Sequence, residues 1–363
     1  MQEKLINGIQ QIGVGVDDVE KAFEWYGTLL GADISVFDDS NVATYMAQYM
    51  GGEPHKKRAI FALNLQGGSG YELWQYLDRT PSFPTEEPRL GDYGIFTAKI
   101  KTRNIVQSFN RLKNKNINII SEIVTEPDKK KCFYFKDLCG NILKIKESDD
   151  WFQNVKIEVG GVFGCCIGVS NIDASKKLYS DILGYDQIIF DETGYFEDFK
   201  ELPNGNGKFR RTLLTHKNNR TGGFSPLFKS SQIELIQAVD DFKPKKIFEG
   251  RYWGDIGFIH ICFDINNMNV LMQECSDAGF PFSVKSSDTF DMGDTNGGWG
   301  YLEDLDGTLI EFVETHRVPL IKKFNIAIDM RKRDPKKPLS TWLIKGLSFK
   351  RVKFGKGSPN GTL

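Results

Sequence analysis

The sequence predicts an α+β fold built from four modules of one kind, each with the element order β-α-β-β-β. Three observations support this prediction. Residues 12–31 are repeated in residues 165–184, and residues 135–147 are repeated in residues 302–314. In each module a short strand-like run precedes an amphipathic helical pattern. Across the first pair the offset stays constant at 153 residues, which is typical of duplication, so modules 1 and 2 are predicted to recur as modules 3 and 4.

The repeat divides the 363-residue chain into two halves and a tail. At roughly 100–200 residues per domain, each half is long enough to bury its own core. The expected boundaries are residues 1–150 with modules at 6–78 and 92–147, residues 158–315 with modules at 160–240 and 256–315, and a C-terminal extension at 316–363. Within the extension, the apolar spacing of Trp342, Leu343, Ile344 and Leu347 predicts a short helix that packs on the body or on a partner chain.

The pattern of elements is clearest in module 1. Apolar residues recur at helical spacing, at Val19, Ala22, Phe23, Tyr26 and Leu30. Asp18 stands where a helix N-cap acceptor is favoured, and Gly31 stands where a left-handed C-terminal residue is favoured. Module 3 repeats both signals with Asn171 and Gly184. In modules 2 and 4, glycine-containing turns at 137–140 and 304–307 join the last two predicted strands.

The charge balance argues against large classes of partner. The chain has 47 Lys and Arg residues and 48 Asp and Glu residues, a net charge of −1. It therefore lacks the excess of basic residues that binds nucleic acid or an anionic membrane surface. No run approaches the ~18 apolar residues of a membrane-spanning helix. The first residues lack a basic segment followed by an apolar run, so we expect a cytoplasmic protein. The expected partner is a small-molecule substrate or ligand, and a homodimer is possible.

Cysteine and histidine are informative because both are scarce. The six cysteines include no CxxC pair, which favours reduced, buried thiols rather than a disulfide framework. Only four histidines occur, at His55, His216, His260 and His316. A site that needs three or four histidines is therefore nearly excluded.

The motifs of the repeat resemble those of the vicinal oxygen chelate superfamily, the glyoxalase, bleomycin-resistance and extradiol-dioxygenase group. They are V-x-D at 16–18, Y-x-x-x-L-G at 26–31, and D-x-D-G-x-x-I-E-x-V at 304–313. The resemblance covers most of the chain and implies that pairs of modules form curled mixed-sheet cups, here two of them. It also implies that one divalent metal ion binds in a cup, with ligands on the first and last strands of each module.

The resemblance places candidate ligands at eight positions. These are Gln11, Thr97, Gly164 and His260 on the first strands, and Glu72, Lys144, Glu234 and Glu311 on the last strands. Pairing of modules 3 and 4 would gather Glu234, His260 and Glu311. Pairing of modules 1 and 4 would instead gather Gln11, Glu72, His260 and Glu311. Consecutive pairing is expected, since sequential elements usually neighbour in space; either arrangement leaves a cup containing Lys144 without a metal site.

One imidazole with two carboxylates suits a divalent ion such as Zn²⁺, Ni²⁺, Co²⁺, Mn²⁺ or Fe²⁺. By resemblance, Glu311 is the catalytic base, and Glu72 or Glu234 is its counterpart. The implied activity is that of a glyoxalase-like lyase or isomerase, which transfers a proton next to a carbonyl of a small oxygenated substrate.

Two other functions remain open from the sequence. A protein of the bleomycin-resistance type would sequester a ligand without metal, in a pocket lined by aromatic residues from among Trp74, Tyr76, Phe224, Tyr252, Trp253 and Trp299. An iron-dependent dioxygenase needs two histidines and a carboxylate, and Gly164 at a ligand position disfavours it. Arginine residues 210, 211 and 251 could clamp a carboxylate, but ordinary surface charge is the expected role.

Overall fold

The computed structural model describes residues 3–154, 157–287, 290–292, 295–321 and 326–355, and it contains the four expected modules. Module 1 comprises β1 (Leu5–Gly15), α1 (Val19–Leu30), β2 (Ile34–Val42), β3 (Lys56–Leu63) and β4 (Gly70–Tyr76). Module 2 comprises β5 (Gly94–Thr102), α2 (Ile105–Asn114), β6 (Val124–Thr125), β7 (Lys131–Lys136) and β8 (Ile142–Glu147).

The second half repeats this order with small insertions. Module 3 comprises β9 (Val159–Gly168), α3 (Ile172–Lys176) continued by a π-helical turn (Lys177–Ile182), β10 (Gln187–Gly194), β11 (Phe209–Thr215), α4 (Ser225–Phe228) and β12 (Gln232–Ala238). Module 4 comprises β13 (Gly257–Asn266), α5 (Met268–Asp277), β14 (Phe282–Lys285), β15 (Phe290–Met292), β16 (Thr295–Glu303) and β17 (Leu309–Ile321).

The helix boundaries follow from the predicted caps. The side chain of Asp18 accepts hydrogen bonds from the backbone N–H groups of Glu20 and Lys21, at 3.1 and 3.0 Å. Gly31 ends α1 with φ +66°, a left-handed conformation that costs glycine little. Asn171 caps α3 in the same way, by accepting from the N–H of Ala174. These caps orient each helix as it leaves the first strand of its module.

The strands form two curled mixed sheets. The first sheet, called cup A, has the strand order β14-β16-β17-β13-β1-β4-β3-β2. In addition, β15 pairs with β16, and β18 (Ile326–Asp329) pairs with β17. Cup B has the order β10-β11-β12-β9-β5-β8-β7-β6. Modules 1 and 4 therefore build cup A, and modules 2 and 3 build cup B. In each cup the two modules meet through antiparallel first strands, β1 with β13 and β9 with β5.

The expected pairing of consecutive modules is thus wrong within each half. The first strand of every module offers the same free edge, so local sequence does not distinguish its two possible partners. The connections at 77–93 and 239–256 let the next module join the other sheet. Sequential adjacency is a rule for short connections, and these are longer than the usual 2–6 residues.

One continuous apolar core contains residues from all four modules, among them Phe23, Phe109, Ile172 and Leu271 from the four module helices. The C-terminal extension adds the predicted short helix, α6 (Thr341–Lys345). Its Ile344 is buried in a cluster with Ile34 and Phe61 of module 1, whereas Trp342 is exposed. Within the described residues, no helix has the length and apolar character needed to cross a membrane.

Candidate metal centre

Four polar side chains from four adjacent strands meet on the inner face of cup A. They are Gln11 of β1, Glu72 of β4, His260 of β13 and Glu311 of β17. The strand register brings them together, because Gly13 lies beside Glu72 on one side and beside His260 on the other. Glu311 is in register with Cys262, two residues along the same strand face from His260.

The side-chain atoms are within contact distance. His260 Nε2 lies 3.1 Å from Glu311 Oε2 and 3.2 Å from Glu72 Oε2. Gln11 Nε2 donates to the same two oxygens, at 3.1 Å to Glu72 and 3.3 Å to Glu311. One ligand atom from each of Glu72, His260 and Glu311 lies within 4.8 Å of the other two, the one such group of three among the described residues. A single ion can therefore contact all three.

Unpartnered buried atoms show that these residues fit a divalent ion. His260 is fully buried, its Nδ1 has no hydrogen-bond partner, and its Nε2 lies close to two carboxylates without pointing an N–H at either. Gln11 Oε1 is also buried without a partner. Buried polar atoms are normally satisfied. An imidazole nitrogen, two carboxylates and an amide oxygen are the donor set of a Zn²⁺, Ni²⁺, Co²⁺, Mn²⁺ or Fe²⁺ site.

The same closeness sets the protonation of the group. Burial lowers the pKa of His260, but the adjacent carboxylates of Glu311 and Glu72 together outweigh burial and raise that pKa to about 9. Burial raises the pKa of Glu311, and the imidazolium of His260 brings it below its usual value. Hydrogen bonds from Tyr301 and Cys262 further stabilise the Glu311 carboxylate. Burial raises the pKa of both donors, so both remain protonated.

Gly13 is a site residue that sequence reasoning missed. A Cβ atom on Gly13 would lie 2.3 Å from Cε1 of His260, so glycine leaves the space that the imidazole fills. Glycine inside a strand commonly marks such a close approach, and this signal was present in the sequence.

A cavity of about 280 Å³ opens beside the quartet. Gln11, Glu72 and Glu311 line it. Of the predicted pocket aromatics, Trp74, Trp253 and Trp299 line this cavity. The others lie elsewhere: Tyr76 packs behind Trp74, Tyr252 stacks on His55, and Phe224 packs on Phe228.

Glu234 does not approach His260, so its expected place in the same site is wrong. It belongs to cup B because module 3 pairs with module 2. There it is fully buried and forms ion pairs with Lys99, Arg211 and Lys144, the last at 3.2 Å. Arg211, expected at the surface, is also fully buried, and it contacts Asp198 at 2.8 Å.

Cup B thus carries a cation, Lys144, at one position where cup A carries a ligand. Lys144 is the repeat equivalent of Glu311, and Thr97 is the repeat equivalent of His260. Burial lowers the pKa of Lys144, but the neighbouring acidic groups raise it well above its usual range. Burial raises the pKa of Glu234, and Arg211 and the lysines bring it well below its usual range. Lys144 and Glu234 are therefore both charged.

The chain belongs to the Glyoxalase/Bleomycin resistance protein/Dioxygenase superfamily, the vicinal oxygen chelate group. Two models of this superfamily match it, one at residues 8–145 and the other at residues 165–295. Each match begins in the first module of one half, in agreement with the duplication seen in the sequence.

Individual relatives are distant. The chain is 27% identical to the metallothiol transferase FosB of Staphylococcus haemolyticus over 141 residues. The matched segment covers 39% of this chain and 84% of that protein. A Bacillus subtilis protein assigned provisionally as a dioxygenase superposes with a TM-score of 0.54 at 14% identity, covering 86% of each chain. Glyoxalase I from Zea mays superposes with a TM-score of 0.50 at 12% identity, covering 86% of this chain and 92% of that one. The two superpositions show a common fold.

Proposed function

We propose that the protein is a divalent-metal-dependent lyase or isomerase, which transfers a proton on the carbon next to a carbonyl of a small oxygenated substrate. The observation that carries this proposal is the convergence of Glu72, His260 and Glu311 within 4.8 Å at the edge of a 280 Å³ cavity. Gln11 would be the fourth metal ligand. When bound, the ion supplies Lewis acidity towards vicinal oxygens of the substrate.

Glu311 is assigned as the base. Its side chain lines the cavity, and the neighbouring His260, with hydrogen bonds from Tyr301 and Cys262, favours the ionised form that accepts a proton from carbon. Glu72 lines the same cavity and contacts the same imidazole nitrogen, which supports a role for it in returning a proton to the neighbouring carbon.

The metallothiol transferase relative supports metal dependence, because its name states that a metal takes part. Sequestration of a ligand without metal would leave the buried Gln11 Oε1 without a partner.

Calorimetric titration of chelator-treated protein with Mn²⁺ tests the metal site. We expect one site per chain, which His260→Ala and Glu311→Gln abolish. His55→Ala is the matched control, because His55 Nδ1 lies 3.2 Å from Asp78 outside the cup. Proton transfer is then tested by NMR of α-hydroxyketones in D₂O, where we expect metal-dependent deuterium incorporation next to the carbonyl. Protein that binds no divalent ion would rule the proposal out.

A further inference from the structure

The two cups differ at one position that bears on substrate choice. On β3, Lys57 lies four residues from Phe61, which is in register with Glu72. On β11 of cup B, Phe209 lies four residues from Leu213, which is in register with Glu234. Lys57 and Phe209 are therefore repeat equivalents. Phe209 is fully buried with Phe199, whereas Lys57 lines the open cavity of cup A.

Lys57 is the one basic residue among the described residues that line this cavity. Its Nζ lies 3.3 Å from Asp39 Oδ2, and only 12% of its side chain is exposed. Asp39 also accepts a hydrogen bond from Asn41 Nδ2 and is 31% exposed. Asp39 would keep that hydrogen bond and gain water if Lys57 turned to an anion in the cavity. The Lys57–Asp39 pair can therefore exchange for a Lys57–ligand pair at small cost.

Part of the wall of this cavity is flat and aromatic. Three of the six tryptophans of the chain line the cavity, Trp74, Trp253 and Trp299. Trp253 comes from the connection between modules 3 and 4, and its ring stacks on His260 with centroids 6.1 Å apart. Its Nε1 is buried without a hydrogen-bond partner. Such walls favour a planar body with a polar atom that can accept from an indole N–H.

We propose that Lys57 binds the carboxylate of a planar, unsaturated acid whose vicinal oxygens face the Gln11, Glu72, His260 and Glu311 quartet. This inference rests on the proposed function and adds the substrate class. The spacing fits an elongated molecule, because Lys57 and Phe61 share a strand face and lie roughly 13 Å apart along β3. One ammonium matches one carboxylate, and no second cation of the described lining is available for a more highly charged group.

The test uses two probes of nearly equal size, the anionic 3,4-dihydroxybenzoate and the neutral 3,4-dihydroxybenzamide, with tryptophan fluorescence as the binding signal. Each is titrated into metal-free and Mn²⁺-loaded full-length protein. We expect the acid to bind about tenfold more tightly than the amide. We expect this preference to vanish in Lys57→Met and to persist in Lys57→Arg. Lys56→Met is the control, because Lys56 is the exposed neighbour on the same strand.

The outcomes separate the two claims. If Mn²⁺ does not bind but the acid shows a Lys57-dependent preference, the proposed function fails and the anion site stands. If Mn²⁺ binds and the two probes bind equally, or Lys57→Met keeps the preference, the Lys57 assignment is overturned. If neither probe binds the metal-loaded protein, the substrate class is overturned.

Discussion

The hydroxyl of Tyr26 donates a 2.7 Å hydrogen bond to Asp137 Oδ2, and both side chains are buried. The second half repeats this contact, with Tyr179 donating to Asp304 Oδ2 at 2.8 Å. Tyr26 belongs to cup A and Asp137 to cup B, so each bond joins the two sheets. The tyrosine of the helix motif and the aspartate of the turn motif are thus partners between consecutive modules, although those modules do not share a sheet.

Removing one of these hydroxyls should weaken the contact between the cups. Tyr26→Phe leaves the buried Asp137 carboxylate without one donor, at a cost of about 1.5–3 kcal/mol in the free energy of unfolding. The measurement is equilibrium denaturation. Tyr179→Phe should cost a similar amount and add to the first, because the two bonds share no residue. Tyr195→Phe, at an exposed tyrosine, should change little; equal stability of all three variants would show that the bonds do not hold the cups together.

The charge cluster of cup B should be essential for stability and irrelevant to metal binding. Lys144→Met leaves Glu126 and Glu234 short of a cation in a fully buried site, at an expected cost of about 3–5 kcal/mol. Lys130→Met removes an exposed partner of Asp149 and should cost less than about 1 kcal/mol. Denaturation of both variants measures the difference, and Mn²⁺ titration of the folded Lys144→Met protein should give the wild-type affinity. A cluster variant as stable as the control would contradict this account.

Asp264 should make stability depend on pH. Burial raises the pKa of Asp264 from 3.8 to about 7, with Asn7 opposing and Glu314 adding to the rise. The folded protein therefore holds a proton that the unfolded chain has lost, and stability falls as pH rises from about 4 to about 7. Asp264→Asn removes this loss of folding free energy at high pH, which is at most about 4 kcal/mol for a pKa shift of this size.

Thermal unfolding at pH 5 and pH 8 measures the effect of this substitution. We expect Asp264→Asn to raise Tm more at pH 8 than at pH 5, and Asn7 can still donate to the new side chain, as it does to Asp264 at 2.9 Å. An equal change in Tm at both pH values would show that Asp264 is ionised in the folded protein.

Gly13 should be required for the placement of His260. Gly13→Ala puts a Cβ atom 2.3 Å from the imidazole, so the ring must move away from the carboxylates. We expect Mn²⁺ affinity to fall by about tenfold or more, because residues that hold a metal-ligating side chain in place affect metal affinity to that extent. Gly194→Ala is the matched control, because no atom lies within 4 Å of its added Cβ. Unchanged affinity in Gly13→Ala would mean that the imidazole does not bind the ion from this position.

The sequence was sufficient for features that depend on local periodicity. The modules, the caps at Asp18 and Asn171, and the strand positions of His260 and Glu311 follow from patterns a few residues long. The pairing of modules did not follow, because β1 and β9 present similar edges and the connections allow either partner. The placement of Glu234 failed for the same reason. The roles of Lys57 and Trp253 depend on contacts between distant segments, which no local pattern records.

Anomalous diffraction from a crystal soaked in Mn²⁺ tests the central claim most directly. The account predicts one peak in contact with Glu72, His260 and Glu311, with Gln11 adjacent, and no peak beside Glu234 in cup B. A crystal in which Mn²⁺ fully occupies another site, while no ion contacts Glu72, His260 or Glu311, would contradict the account.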